Sequence, residues 1–213
     1  MPHPYWPLFD LSIRTPRLEL RYPDEELILR SVELSLKGIH DPATMPFGMP
    51  WTDAKSPEFE RSSLQHHWGN RANHKADDWH LNFSVLADGE VVGQQGAVAR
   101  NFANLRQAET GSWLGREHQG KGIGKEMRAA ILHFLFVGLD AQRCLSGAWH
   151  DNPSSMGVSK AFGYVENGEE IRMRRETPDR LIHLRLTREQ WELQRRDDIE
   201  IIGLEACRGM LIA

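Results

Sequence analysis

Trp113-Leu114-Gly115-Arg116-Glu117-His118-Gln119-Gly120-Lys121-Gly122-Ile123-Gly124 is the stretch whose reading decides the fold. Before it, Glu109 to Leu114 reads as an extended strand. After it, Ile123, Met127, Ala130, Ile131 and Phe134 recur at helical spacing, with Lys125 and Arg128 expected on the opposite side. Strand, glycine loop and helix therefore follow in that order. Glycines at alternate positions let the backbone fold tightly with its N–H groups converging, and the helix adds the positive end of its dipole. An anion is expected there, the plain alternative being an ordinary glycine-rich connection. Gly115 to Lys121 fits G-x-x-x-x-G-K, but Gly122 stands where a P-loop needs Ser or Thr for magnesium. The dinucleotide pattern G-x-G-x-x-G fails as well, because Gly120 and Gly122 are followed by Gly124 and then Lys125.

Upstream of the loop, Thr15 to Tyr22 alternates apolar and polar residues as a half-buried strand does. Ile28, Val32, Leu36 and Ile39 then mark one face of a helix capped near Asp24. Ser56-Pro57-Glu58 opens a second helix that runs to about His74. Leu81, Phe83 and Val85 alternate, and Asp88-Gly89 turns the chain into Val91-Val92-Gly93, giving a hairpin. Downstream, Cys144 to His150 reads as a strand and Asn152-Pro153-Ser154 as the start of a short helix that Gly163 stops. Ile171 to Arg174 and Leu181 to Leu186 make a last hairpin, before a helix around Glu189 to Arg195. No internal repeat appears, so one mixed α/β domain is expected.

The bulk properties agree with a soluble domain. Of 213 residues, 40% are hydrophobic and 26% charged, and 26 Lys plus Arg against 30 Asp plus Glu leave a formal charge of −4. That balance argues against a nucleic-acid partner. No run of about 18 apolar residues is present to cross a bilayer, and Pro2, Pro4 and Pro7 replace the pattern of a signal peptide, so no membrane partner and a cytoplasmic location are expected. Cys144 and Cys207 are too few and too far apart for a disulfide framework or a Cys-based zinc site, and read as free thiols. Ten histidines show no ligand spacing, so no dedicated metal is expected.

Gln119-x-x-Gly122-x-Gly124 resembles the Q/R-x-x-G-x-G/A pyrophosphate loop of the GCN5-related N-acetyltransferases. Around it, Ala108-Glu109-Thr110-Gly111-Ser112-Trp113-Leu114 looks like that family's central strand. Asp151-Asn152-Pro153-Ser154-Ser155 and Phe162-Gly163-Tyr164 look like its N-x-x-S helix and closing G-F/Y. Thr15-Pro16-Arg17-Leu18-Glu19-Leu20 and Leu186-Thr187-Arg188-Glu189-Gln190-Trp191 are similar to the branch that holds the ribosomal-protein alanine acetyltransferases. The resemblance runs from about Thr15 to Trp191. It implies a mixed, mostly antiparallel central sheet flanked by helices, with two splayed parallel strands forming an acyl-CoA cleft. The expected organisation is an N-terminal extension over 1–14, the acyltransferase domain over 15–198 and a C-terminal extension over 199–213.

By the same resemblance the reaction is direct transfer from acetyl-CoA or succinyl-CoA to a primary amine of a protein N-terminus, lysine or small molecule. The backbone of Trp113, Leu114 and Gly115 would pair with the pantetheine amides, freed by a strand bulge. Gln119, Gly120, Lys121, Gly122, Ile123 and Gly124 would hold the pyrophosphate, with positive charge from Arg116, Lys121 and Lys125. Asn152 would bind pantetheine, although Asn-x-x-Ser is equally a helix cap. Ser155 is the candidate acid toward the departing thiolate, ahead of Tyr164. The acceptor amine is protonated near pH 7 and needs a base, for which Glu109 is the best candidate; it shares a strand face with Trp113. His118, His150 and Asp151 are weaker options. A non-catalytic CoA- or nucleotide-binding module is the competing class, and a P-loop ATPase the third.

A succinyl carboxylate would need a cation in the acyl pocket, and His40, His66, His67 and Arg71 are the candidates. The apolar loop Met45 to Trp51 and the tail residues Ile201, Ile202, Leu204, Met210 and Leu211 suggest a homo-oligomer, against the plainer option that they fold back on their own chain.

Overall fold

The structure is a computed structural model that describes residues 3–212; Met1, Pro2 and Ala213, at the ends of the two expected extensions, lie outside them. A short turn at Pro7–Asp10 leads into β1 (Ser12–Arg14), β2 (Leu18–Arg21) and α1 (Glu25–Leu36). Asp24 caps α1 by accepting the Leu27 N–H at 2.9 Å. α2 (Glu58–Ala72) follows, then β3 (Asp78–Ala87) and β4 (Glu90–Arg100), joined by Asp88 and Gly89. Both turn residues have positive φ, 50° and 80°, as a tight two-residue hairpin turn requires. The chain continues through α3 (Phe102–Leu105), β5 (Gln107–Leu114), α4 (Ile123–His133), β6 (Arg143–Trp149) and α5 (Pro153–Ala161). It ends with β7 (Val165–Arg174), β8 (Thr177–Thr187), α6 (Arg188–Glu192), β9 (Glu200–Ile202) and α7 (Leu204–Cys207).

Nine strands form one sheet in the order β7-β8-β6-β5-β4-β3-β2-β1-β9. Among the described residues, β5 and β6 are the one parallel pair, and every other neighbour is antiparallel. Helices cover both faces. Phe83 meets Phe134, just beyond α4, at 5.7 Å on one face, while Ser84 meets Ser31 of α1 at 3.0 Å on the other. This is the mixed, mostly antiparallel α/β architecture expected, and no helix among the described residues is long and apolar enough to cross a membrane.

Three features differ from what local patterns predict. The tail does not stand apart: β9 pairs with β1, the Trp79 indole donates to Leu211 O at 3.0 Å, and Leu204 and Leu211 are buried in the main core. At the other end Leu8 and Leu11 join the same core, and β1 joins the sheet. The apolar loop likewise folds onto its own chain. Met45 is buried, its carbonyl accepts Arg174 Nε at 2.7 Å, and Phe47 O accepts the Trp149 indole at 3.1 Å. These packings fit the plainer option, that both segments fold back on their own chain. Finally, Arg128 is only 3% exposed, against the expectation of an outer face. α4 is covered on that side too, and the guanidinium lies over the Tyr164 ring at 5.8 Å. Cys144 and Cys207 are free and buried.

Candidate active site

β5 and β6 are in register only from Gln107↔Arg143 to Glu109↔Leu145. Beyond that point they part. Side chains bridge the apex: Thr110 Oγ1 donates to Leu145 O at 3.2 Å and Ser146 Oγ to Thr110 O at 3.3 Å. On its other side β5 stays paired with β4 as far as Gly93↔Leu114 without a register shift. The free backbone groups thus come from the departing parallel neighbour, and no bulge in β5 is needed.

Antiparallel pairing alternates the side to which each residue turns its N–H and C=O. Thr110 O faces β6, whereas the Gly115 N–H donates to Val92 O beside β4 at 3.1 Å. The alternation therefore turns Ser112 and Leu114 toward the open cleft, and Trp113 and Gly115 toward β4. Gly115 is doubly engaged, since its carbonyl accepts the His118 N–H at 2.9 Å. Of the three residues expected to pair with a ligand backbone, Leu114 is the one so directed, and Ser112 replaces its neighbours.

The loop at the mouth of the cleft is a cradle of donors. Gln119 closes it, its Nε2 donating to Ile39 O at 2.6 Å and Leu114 O at 3.0 Å. Gly120 and Gly122 have φ of 73° and 80°, which glycine alone adopts without strain. Among the described residues, no group accepts the N–H of Gly120, Lys121, Gly122, Ile123 or Gly124. Five free donors at the start of α4, with its dipole behind them, make an anion site. Lys121 and Lys125 are exposed beside it. Arg17 was not foreseen here: its Nη1 reaches Lys121 O at 3.4 Å, and its Nη2 lies 3.4 Å from where a Gly122 Cβ would be.

The far wall is α5. Asn152 caps it, its Oδ1 accepting the Ser155 N–H at 3.1 Å, so the capping role is real. The Asn152 Nδ2 and the Ser155 hydroxyl bond to no other group among the described residues, and both are available to a ligand. Tyr164 is packed away beneath the cleft. Burial pushes its phenol up to about 12 against the pull of Arg128, and its hydroxyl lies 3.4 Å from Thr110 Oγ1. Glu109 is exposed at the apex, on the same face of β5 as Trp113.

The other base options are engaged. His118 lies 3.6 Å from Glu117, and His150 lies 3.2 Å from Asp179. His150, Asp151 and Asp179 bring possible ligand atoms within 4.8 Å of one another, yet Arg174 Nη1 already binds both carboxylates, at 2.8 and 2.9 Å. The group is an ion-pair cluster.

A strand whose parallel partner leaves it, ending in a donor-lined glycine loop, is matched by a family model. The model is that of the acetyltransferase (GNAT) domain, and it covers residues 17–165. The chain belongs to the GNAT family. A curated relative, "Putative ribosomal N-acetyltransferase YdaF" of Bacillus subtilis, is 28% identical over 89 residues, 42% of this chain and 48% of that protein. The chain thus spans about half the length of that relative. Among solved structures, RimJ of Mycobacterium smegmatis in complex with CoA-disulfide matches with a TM-score of 0.67 at 22% identity, over 96% of this chain and 95% of that one. RimL in complex with coenzyme A matches at 0.65 and 19%, over 81% and 95%. The spermidine/spermine N-acetyltransferase SpeG of Vibrio cholerae matches at 0.63 and 16%, over 84% and 98%. These neighbours share the fold of this chain.

Proposed function

We propose that this GNAT chain is an acyl-CoA-dependent N-acyltransferase, moving an acetyl group to a primary amine by direct transfer in a ternary complex. The five N–H groups from Gly120 to Gly124 carry the reading, because they fit a pyrophosphate and no group among the described residues accepts them. Arg17, Lys121 and Lys125 add charge beside them. Ser112 and the Leu114 N–H face the cleft, the Leu114 carbonyl being taken by Gln119, and Asn152 Nδ2 offers a donor from the opposite wall.

Bound acetyl-CoA supplies the activated thioester; the remaining tasks fall to the protein. Glu109 takes a proton from the incoming ammonium through water, since an amine attacks only once neutral. The Ser155 hydroxyl donates toward the sulfur that becomes thiolate as the C–S bond breaks. Tyr164, buried beneath the cleft, is the poorer donor. The presence of both Glu109 and Ser155 favours an enzyme over a CoA- or nucleotide-binding regulatory module.

The donor is acetyl rather than succinyl. Each cation considered for a succinyl carboxylate is occupied or desolvated: His40 bonds Asp41 O and Thr52, and Arg71 is held by Glu25 and Pro23 O. Burial lowers His66, which Asn70 and Asn82 also hold, and lowers His67 to about 4. A peptide N-terminus is the favoured acceptor, in line with the ribosomal-protein acetyltransferases that this chain resembles. Buried free thiols and a CoA substrate suit the cytoplasm. Calorimetric titration with acetyl-CoA, succinyl-CoA, ATP and NAD tests the reading, and tight binding of acetyl-CoA alone supports it. Magnesium-dependent ATP binding without CoA binding would overturn it.

A further inference from the structure

The pairing of β3, β4 and β5 builds a small grid on the face covered by α1 and α2. Glu109 lies opposite Val98, and Val98 opposite His80; the next row is Gly111, Gly96 and Asn82; the third is Trp113, Gln94 and Ser84. Directly paired residues share a face of the sheet. The middle row is therefore a trough, walled by Glu109 on one side and Trp113 on the other. A Cβ on Gly111 would meet nothing within 4 Å, so the trough is open at the cleft end. A Cβ on Gly96 would come within 2.9 Å of Asn82 Oδ1, so the Asn82 amide leans over Gly96 and ends the trough. One strand spacing separates the two positions, about 5 Å.

The far end is built from neutral polar groups. The Trp113 indole can only donate, so Gln94 Oε1 accepts it at 3.1 Å, and the Gln94 Nε2 must then donate to His67 Nε2, also at 3.1 Å. His67 Nε2 thus carries no proton. Asn82 and Asn70 likewise direct amide nitrogens at His66 Nε2, at 2.9 and 3.1 Å. Asn82 Oδ1 then stands over Gly96 as an acceptor, with His80 beside it drawing on one of its two lone pairs. Behind it a cavity of about 370 Å³ opens between α2 and the sheet, lined by His66, Asn70, His80 and Val98 among others, with the cross-strand pair Asp78 and Arg100 also on its wall. Beyond Glu109, no carboxylate among the described residues stands in the trough row itself, Asp78 lying in the cavity behind it, and a second charge over Gly96 loses hydration without a direct ion pair.

We propose that this trough is the acceptor channel, and that Asn82 with His66 forms a subsite for an uncharged hydrogen-bond donor, an amide N–H or a hydroxyl, carried about 5 Å from the reacting amine. The amine lies above Gly111 within reach of Glu109; the group beside it meets Asn82 Oδ1. The proposal rests on the N-acyltransferase reading and adds the class of acceptor the face selects.

β-Alaninamide, 1,3-diaminopropane and β-alanine hold an amide, an ammonium and a carboxylate at similar separation from a primary amine. With acetyl-CoA as donor, kcat/KM for the amide should exceed that for each of the others at least tenfold. Asn82→Ala should bring the three within about threefold, through KM rather than kcat. Gly111→Val fills the open end with a residue suited to a strand; it should abolish acceptor binding and leave the affinity for acetyl-CoA unchanged. Calorimetric titration of the three amines, with and without CoA, reads the trough independently of transfer. Equal use or equal binding of the three amines by the parent protein overturns the subsite, and parental turnover by Gly111→Val overturns the channel. Failure to bind acetyl-CoA would instead strike the function proposed above.

Discussion

Arg17 Nε donates to Glu126 Oε2 at 2.6 Å, tying the start of β2 to the first turn of α4. Glu126 is buried, and Thr15 Oγ1 and the Arg17 N–H bond its other oxygen at 2.6 and 3.2 Å. Burial works to raise this carboxyl, but the Thr15 and Arg17 bonds prevail and hold it below the usual range. The outcome is a fixed guanidinium beside Gly122. Arg17→Ala should weaken acetyl-CoA binding about tenfold, the scale of one charge-assisted hydrogen bond, and the loss should shrink in high salt. Unchanged affinity by calorimetry would make the pair purely structural.

The two glycines of the loop separate strain from contact. Gly122 has φ of 80°, so Gly122→Val should reduce both stability and acetyl-CoA affinity. Gly124 has an ordinary helical φ, and an added Cβ would make normal contacts of 3.7 and 3.8 Å with Leu114 and Val158. Gly124→Ala should therefore keep the parental melting temperature while lowering affinity tenfold or more. Melting curves and calorimetry on the same samples check both halves.

This contrast marks what the chain's own order of residues reveals. Gly120, Gly122 and Gly124 are neighbours in sequence, and so are Asn152 and Ser155; their loop and cap were legible because turn and cap chemistry is local. The Asp24 cap and the Asp88-Gly89 turn were legible for the same reason. Arg17 beside Gly122 was not, since more than a hundred residues separate them and only packing of β2 against α4 brings them together. Nor was the Gly111, Gly96, Asn82 row, which exists through the register of three strands. Arg128 misled because helical period predicts one buried face, and α4 is covered on two. The tail misled in the same way, as its apolar residues have their partners in β1 and Trp79.

Glu109→Gln and Ser155→Ala should each lower kcat by roughly 10²-fold, the usual size of a general acid or base effect. Acetyl-CoA binding should survive both, because neither side chain holds the loop. Single-turnover rates equal to the parent's would move the acid and base to other groups.

Acidification should destabilise the protein through largely buried histidines of α2 and β3. Burial lowers His67 and His80 to about 4 from an ordinary 6.5, with the neighbouring His66 adding repulsion in each case. Glu25 pulls His67 the other way without reversing it. Below pH 6.5 the unfolded chain binds protons at these rings and the folded one does not, so stability falls as pH drops from about 6.5 toward 4. Below about 4 both states are protonated and this contribution changes no further. Each unit of separation is worth about 1.4 kcal/mol, so His67, only 7% exposed, accounts for roughly 3 kcal/mol across the window. His67→Gln keeps a hydrogen-bonding group toward Gln94 and removes the titration. Urea unfolding at pH 7.0 and 5.0 should show a clear loss of stability in the parent and a smaller one in the variant. Identical losses in both would mean that His67 is already solvated and titrates normally in the folded protein.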